Sequence, residues 1–541
     1  MGEFIYSIDA NCQYCYKCLR NCQVKAISFN SGKSRILEEE CILCGNCLEI
    51  CPQKAKNYRR HVEKFKEFFE APFMVSVAPS FFAHFDYPFK VIGFLKSHGA
   101  TVVNETAVGA DLVSERYKKL SENLKKPVIT TACPVVVDFA EMYYPELSGY
   151  LASVVSPAVA HQRFLKKHFG DLKTIFLGPC IAKKRELEGI FDLVLTFEEL
   201  NEFFESEDLH IENFTERFPD PPFPENGRLY PMNNGINQSV TRNFSQHLSI
   251  EGIRNVAWFF ENFSSYNEPL FIELSACYGS CLEGPAIRKD LSILEKRNRI
   301  FRHKKVLDAL TGKRISSYSY HLNLKRETKS RPSKREYPES AIQEVLLSIG
   351  KDDPSKELNC GACGYNTCRE KAAAVLQGKA EKEMCITYLI DKVSSVSNLV
   401  VEETPNIILI YKDNQILYKN RVARNFFKNL SDSSLLEIAR KCEKSRENIF
   451  DLLVAGKSKR FFVKTFELPE DSGNVVILVD MTKEKEQEER IKMLKKESLE
   501  KIEDVLSKQM MLAQEIAGLL GESIAEAKSH FMDFRKFVED K

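Results

Sequence analysis

Eight cysteines fall within residues 12–51, spaced so that they could hold iron. Cys12, Cys15, Cys18 and Cys22 form CQYCYKCLRNC, and Cys41, Cys44, Cys47 and Cys51 form CILCGNCLEICP. Each run is C-x2-C-x2-C-x3-C. Three closely spaced thiolates can wrap one face of a cubane while the fourth reaches across to a second cluster. This predicts one [4Fe–4S] cluster on Cys12, Cys15, Cys18 and Cys51, and another on Cys41, Cys44, Cys47 and Cys22. Zinc would want two separated pairs instead. Gln23 follows the first run where proline would be usual, which leaves the ligands intact. Four more cysteines, Cys360, Cys363, Cys368 and Cys385, are spaced C-x2-C-x4-C-x16-C. Gly361 and Gly364 would let the backbone approach a metal closely, and residues 372–376 read as a helix leading toward Cys385. A third [4Fe–4S] cluster is the expected occupant, with structural zinc as the alternative.

Five cysteines remain: Cys133, Cys180, Cys277, Cys281 and Cys442. The first four sit in TTACPVV, FLGPCIAKKRE and FIELSACYGSCLEGP, each after an apolar run that reads as a strand. Strand ends are where an α/β scaffold delivers side chains into a crevice. Unrelated packed thiols are the plain alternative, and the Cys277–Cys281 pair in a glycine-containing turn weighs against it.

The elements that must position these groups belong to a chain of 541 residues, long enough for several cored domains. Lys and Arg number 77 against 76 Asp and Glu, a net charge of +1 that gives no reason to expect nucleic acid or an anionic membrane. The N-terminus lacks a secretory pattern and no apolar run is long enough to span a bilayer, so a cytoplasmic protein is expected. Seventeen cysteines in a reducing compartment imply metal binding or redox chemistry, not disulfides.

Over roughly residues 72–315 the sequence resembles the [FeFe]-hydrogenase family. The motifs that carry the resemblance are Ala132-Cys133-Pro134, Pro179-Cys180-Ile181-Ala182-Lys183-Lys184-Arg185-Glu186, and Glu273 through Cys281, with VAPSF (77–81) and FAEMYYPELSGYLASVVSP alongside. The resemblance implies that Cys133, Cys180, Cys277 and Cys281 hold a [4Fe–4S] cubane, with Cys281 bridging to a diiron subsite carrying CO and cyanide. It implies that Lys183 donates to a cyanide, that Pro79, Ser80 and Pro179 line the diiron pocket, and that Glu186 supports the motif. The departures matter as much. Hydrogen-producing members carry a proton-relaying cysteine where this chain has Ala132. Ala152 aligns with a serine of the proton path, Glu115 is an uncertain candidate for one of its glutamates, and Gly178 and Ser275 replace methionines. A methyl group cannot relay a proton, so slow turnover is expected.

Downstream, residues 316–338 are polar and basic and read as a solvated linker. Residues 395–482 resemble a PAS domain: NIILIYKDNQILYKN reads as two strands around an Asp-Asn turn, helices follow over 421–443, and RFFVKTFEL and NVVILVDMT read as further strands. No histidine lies between His321 and His530, which argues against a His-ligated haem there, and Cys442 reads as packed core. Leu499, Ile502, Leu506, Met510, Ala513, Ala517, Leu520 and Ile524 form one apolar seam on a long helix. A homodimeric coiled coil is expected, with packing back on the PAS-like domain as the alternative.

The expected architecture is multidomain α/β and α+β: a ferredoxin-like module (1–62), an H-cluster α/β domain (72–315), a linker (316–338), a four-cysteine module (339–392), a PAS-like domain (395–482) and a helical C-terminus (483–541). Three functions are compatible with it. The favoured one is a sensory [FeFe]-hydrogenase of an anaerobe, taking dihydrogen, exchanging electrons with a partner such as ferredoxin, needing maturation proteins for its diiron site, and read by a separate kinase or phosphatase. The others are a dihydrogen:ferredoxin oxidoreductase with another proton route, and an iron–sulfur redox sensor that lacks the diiron unit.

Overall fold

The computed structural model describes residues 4–122, 124–240, 246–265, 268–318, 320–328, 337–443, 449–454, 457–468, 473–481, 493–499, 501–502, 505 and 507–508. The chain divides into two compact units, one formed by Met1–Cys12 with Tyr16–Glu381, the other by Gln13–Cys15 with Lys382–Lys541.

The first unit opens with four short strands: β1 (Ile5–Ser7), β2 (Ile27–Asn30), β3 (Lys33–Ile36) and β4 (Lys56–Tyr58). They pair antiparallel, β1 with β4 and β2 with β3. Ser31 and Gly32, with φ of 49° and 68°, supply the left-handed pair that a tight hairpin turn requires. Helices Lys17–Arg20 and Asn46–Ile50 each carry the third cysteine of a run, and each is entered through a left-handed residue, Tyr16 or Gly45. The two cysteine runs thus share one local design.

Seven parallel strands follow: β5 (Phe73–Val77), β6 (Ala100–Glu105), β7 (Val128–Ile129), β8 (Lys173–Gly178), β9 (Leu193–Thr196), β10 (His247–Glu251) and β11 (Phe271–Ser275). They form two sheets, ordered β6-β5-β8-β9 and β10-β11-β7. Strands β5 and β9 are buried along their whole length, as parallel strands covered on both faces must be. Phe73, Phe81, Phe94, Phe164, Phe197 and Phe271 are fully buried in the core. Pro134 sits in the first turn of helix Pro134–Tyr143, where its missing N–H costs nothing. The helix therefore starts immediately after Cys133.

The stretch expected to be a solvated linker is partly packed instead. Leu324 is buried, its carbonyl accepts from Val155 N at 2.9 Å, and Arg326 pairs with the buried Glu141 at 2.6 Å. Among the described residues of the stretch, Arg326 is thus a partner of the domain surface and not a solvated base. Beyond it, helices Glu339–Ser348 and Cys368–Leu376 bracket the loop that carries Cys360 and Cys363. Thr367 caps the second helix by accepting from Glu370 N at 3.0 Å.

In the second unit, helix Ile386–Glu403 precedes a five-stranded antiparallel sheet. Its strands β12 (Ile407–Lys412), β13 (Gln415–Lys419), β14 (Ile449–Val454), β15 (Lys457–Glu467) and β16 (Asn474–Asp480) lie in the order β13-β12-β16-β15-β14. Helices Arg421–Phe426 and Asp432–Glu443 come between β13 and β14. Strand β14 is an element the sequence pattern did not reveal. Cys442 is buried in this unit's core with Leu435 and Ala439. Of the expected C-terminal seam, Leu499 and Ile502 are helical, and Leu506, Met510, Ala513, Ala517, Leu520 and Ile524 lie outside the described residues. Among the described residues no helix is long and apolar enough to cross a membrane.

Candidate functional site

The segments leaving β7, β8 and β11 bring Cys133, Cys180, Cys277 and Cys281 to the wall of one cavity of about 120 Å³. The four thiols thus come from strands of two sheets, not one. Burial raises all four above the usual thiol range, Cys180 to about 11 and Cys281 to about 12, and neighbouring thiolates add to the effect at Cys180, Cys277 and Cys281. Cys281 has open surface, and that surface faces the cavity it lines. Thiols this costly to ionise bare are a donor set for metal cations, whose charge reverses the cost.

The run Lys183-Lys184-Arg185-Glu186 follows, and each side chain has its own task. Lys183 lines the cavity, donates to Glu186 Oε2 at 2.5 Å and reaches the Ala132 carbonyl at 3.5 Å. Lys184 turns the other way into a fully buried ion pair with Glu199 at 2.8 Å and also donates to the Val194 carbonyl at 3.1 Å. Arg185 pairs with Asp138 and donates to the Cys41 carbonyl at 2.8 Å, tying the N-terminal cysteine loop to this site. Gly45 makes the same junction by shape: with φ of 78°, a Cβ there would lie 2.5 Å from the Pro285 side chain. Cys44 lines the cavity as well.

Pro79, Ser80, Pro179 and Ala132 all line the cavity. Ser80 is 1% exposed and its hydroxyl has no hydrogen-bond partner among the described residues. Ala132 presents only a methyl group. Ala152 is buried in the apolar core, and Glu115 is exposed on helix Ala107–Ser121, away from the cavity wall.

Sequence reasoning missed the polar chain of Thr106, Ser76, His161 and Asn104, because nothing in the spacing of these residues marks them. Thr106 lines the cavity and leads through Ser76 (2.6 Å) to His161 Nδ1 (2.7 Å). Asn104 donates to the Asp220 and Pro222 carbonyls, so its Oδ1 accepts from His161 Nε2 at 2.7 Å. Burial holds His161 down at about 3. The chain of contacts therefore ends on an amide and carries no proton onward. Glu273 lines the cavity too; burial raises it to about 7 although it accepts from Asn237 N at 2.9 Å. Ser275 and Ser280, both on the cavity wall, share a hydrogen bond of 3.0 Å, and Ser280 donates to Glu251 at 3.3 Å.

In the N-terminal module, burial raises the thiols of Cys41, Cys44 and Cys47, charge on Cys22 adds to the rise at all three, and charge on Cys18 adds to it at Cys47. Cys12 receives a contact from Ser34 Oγ at 3.4 Å, and Cys51 accepts from Ala55 N at 3.3 Å. Cys18 is buried. Cys15 and Cys385 belong to the second unit, where Cys385 immediately precedes helix Ile386–Glu403. Cys360, Cys363 and Cys368 belong to the first. No group of three or more His, Cys, Asp or Glu among the described residues is arranged to hold a single metal ion.

Comparison with known proteins agrees with this geometry. Residues 71–257 match the iron only hydrogenase large subunit, C-terminal domain. Residues 4–52 match a 4Fe-4S dicluster domain, and residues 357–387 match an Fe-S cluster family. Over residues 71–257 the chain carries an [FeFe]-hydrogenase large-subunit domain. Iron hydrogenase 1 of Clostridium pasteurianum is 24% identical over 306 residues, which is 43% of this chain and 53% of that protein. NADP-reducing hydrogenase subunit HndD of Solidesulfovibrio fructosivorans is 24% identical over 221 residues, 32% of this chain and 38% of that protein. The alignments thus span about half, or less, of these relatives' lengths. Among solved structures, [FeFe]-hydrogenase HydA1 from Chlamydomonas reinhardtii aligns with a TM-score of 0.38 at 14% identity, covering 51% of this chain and 100% of that one.

The hydrogenase cavity suits the cofactor that its family implies. An unpartnered buried hydroxyl at Ser80 and the Lys183 ammonium are donors facing a mostly apolar space, which matches a group bearing acceptor or anionic ligands. Cys133, Cys180, Cys277 and Cys281 would hold the cubane, and Ser80 and Lys183 would meet the diiron unit.

Proposed function

We propose that this protein is a sensory [FeFe]-hydrogenase, which binds or slowly converts dihydrogen and passes the resulting redox state through its iron–sulfur clusters to the second unit. The observation that carries this reading is Ala132 on the cavity wall. Efficient proton transfer needs a titratable group within hydrogen-bond reach of the reacting atoms, and this position offers a methyl group. When bound, the diiron unit would supply the site where dihydrogen is held and split. The chain's own part is to hold charge and exclude water. Glu186 fixes the Lys183 ammonium at the cavity wall, Ser80 offers one further donor, and prolines 79, 134, 179 and 285 keep the space dry. A sensor needs differential binding between two states, not turnover.

The strand order of the second unit, with its central antiparallel sheet and intervening helices, supports the PAS-like reading of residues 395–482. On this reading the clusters report to a PAS-like dimer with a coiled-coil C-terminus, in a cytoplasmic protein that depends on diiron maturation proteins, exchanges electrons with a ferredoxin-type partner and is read by a separate kinase or phosphatase.

The second reading, turnover as a dihydrogen:ferredoxin oxidoreductase, draws on the hydroxyl chain from Ser275 through Ser280 to the Glu251 carboxylate, which is another way out for a proton. Infrared spectra of the reconstituted protein under argon and then hydrogen test both. CO and cyanide bands that shift under hydrogen support them; bands that never respond leave an inactive relic, and no bands leave only an iron–sulfur redox sensor. Glu251→Gln then separates the two, since it should depress turnover only if Glu251 is the exit.

A further inference from the structure

We propose that Tyr365 and Lys25 form the electron-transfer contact between the loop bearing Cys360 and Cys363 and the N-terminal cluster that Cys22 helps to hold, with the Tyr365 hydroxyl donating to a sulfur there. This rests on the cluster-relay reading above and names its route. The loop that carries Cys360 and Cys363 draws its electrons from the cluster on Cys41, Cys44, Cys47 and Cys22, the one whose Cys44 also lines the cavity.

The two loops are pressed together. Gly364 has φ of 93°, and a Cβ on it would lie 2.8 Å from the Leu19 side chain. Lys25 Nζ bridges the junction, donating to the carbonyls of Gly364 at 2.8 Å, Leu19 at 3.3 Å and Arg20 at 3.4 Å. Arg20 Nη1 donates to the Ala362 carbonyl at 3.2 Å. Lys379 secures the other edge through Glu40, and its carbonyl accepts from Phe29 N at 2.9 Å.

Tyr365 lies inside this junction, 3% exposed, and its hydroxyl makes no hydrogen bond among the described residues. Tyr365 follows Cys363 by two residues, and the Gly364 between them packs against Leu19 in the run that carries Cys22. An unsatisfied buried hydroxyl costs about 1–3 kcal/mol, and cluster sulfur on Cys22 or Cys363 is the acceptor that relieves it. Hydrogen bonds to sulfur and nearby charge are what set cluster potentials. Lys25 Nζ sits on the carbonyl of Gly364, next to Cys363, and Lys25 N donates to the Cys22 carbonyl at 3.4 Å, so the Lys25 ammonium raises the potential on both sides. In the step itself one electron leaves the cluster at Cys22 and reduces the cluster at Cys363. No bond forms or breaks and no proton moves. The electron comes from dihydrogen in the proposed function, or from dithionite in the test.

The test uses the full chain, reconstituted with iron and sulfide and poised with dithionite in H2O and D2O. Pulsed EPR of the wild type should show an exchangeable deuteron coupled to a reduced cluster. Tyr365→Phe should lose that coupling and lower the midpoint of the same cluster, with iron content unchanged. Lys25→Gln should lower two midpoints, and it carries the test alone if Tyr365→Phe loses iron. An unchanged deuteron coupling in a fully loaded Tyr365→Phe protein, or a Lys25→Gln protein in which at most one midpoint moves, overturns the proposal. The diiron unit is not needed for these spectra, so a failed infrared test of the hydrogenase reading leaves this result standing.

Discussion

Ala132 and Lys184 show how much rests on single side chains in the cavity wall and its support. General acid–base groups contribute about 10²–10⁴-fold to rate. Ala132→Cys restores one link of the missing relay while Ala152 stays inert in the core. Hydrogen evolution with a chemical reductant should therefore rise by about 10²-fold or less; an unchanged rate would mean that the route is broken elsewhere. Lys184 differs from its neighbour Lys183 in kind. It is fully buried against Glu199, and removing one partner of a buried pair leaves the other charge stranded at a cost of about 3–5 kcal/mol. Lys184→Met should lose that much in denaturant unfolding, and Lys184→Met with Glu199→Leu should recover most of it. If the single variant unfolds like the wild type, the pair is not structural. The sequence marked Cys133, Cys180, Cys277, Cys281 and Lys183 through their spacing. The resemblance singled out Lys183 and gave no role to Lys184, whose ion pair with Glu199 depends on residues that only the fold brings beside it.

The elements around the cavity are held by buried carboxylates as much as by apolar packing. Asp111 on helix Ala107–Ser121 accepts from Glu225 N at 2.6 Å and Asn226 N at 3.1 Å, anchoring the segment that brings Tyr230 and Ile236 to the cavity. Burial pushes Asp111 up to about 7. A carboxyl whose folded pKa lies above its unfolded value near 4 binds more protons when folded. Its contribution is complete below that unfolded value and is lost as pH rises through about 7. Thermal melts from pH 5 to 8 should show the wild type losing stability relative to Asp111→Asn, which does not titrate; parallel curves would refute this. A helix over 372–376 was legible in the sequence, but its start at Cys368 behind the Thr367 cap was not read. Nor was the hold exerted by Asp111, because the amides that it accepts from lie more than a hundred positions away in the chain.

At the scale of the first unit, the N-terminal cysteine loops are built into the hydrogenase domain. Arg185 reaches the Cys41 carbonyl, and Gly45 lies against Pro285. Gly45→Ala adds a Cβ at 2.5 Å from Pro285, on a residue whose φ is 78°, so backbone strain and a clash act together. The variant should bind the same iron, melt at lower temperature and pass electrons from the N-terminal clusters to the cavity more slowly in stopped-flow reduction. An unchanged transfer rate would show that the junction is not the electron path.

The sequence by itself determined the donor sets. Thiolate spacing within a run is local geometry, so Cys12 to Cys51 and Cys360 to Cys368 pointed to iron–sulfur chemistry before any fold was known, whereas the roles of the three dispersed motifs and of Ala132 were legible only through the resemblance to the [FeFe]-hydrogenase family. The tertiary structure decided what those sets adjoin. It drew the cavity thiols from two sheets rather than one, packed Leu324 and Arg326 where a free linker was expected, left the Ser80 and Tyr365 hydroxyls buried without partners, and set Lys25 between two cysteine loops. These are contacts between residues far apart in the chain, and long-range packing leaves no periodicity or spacing to read.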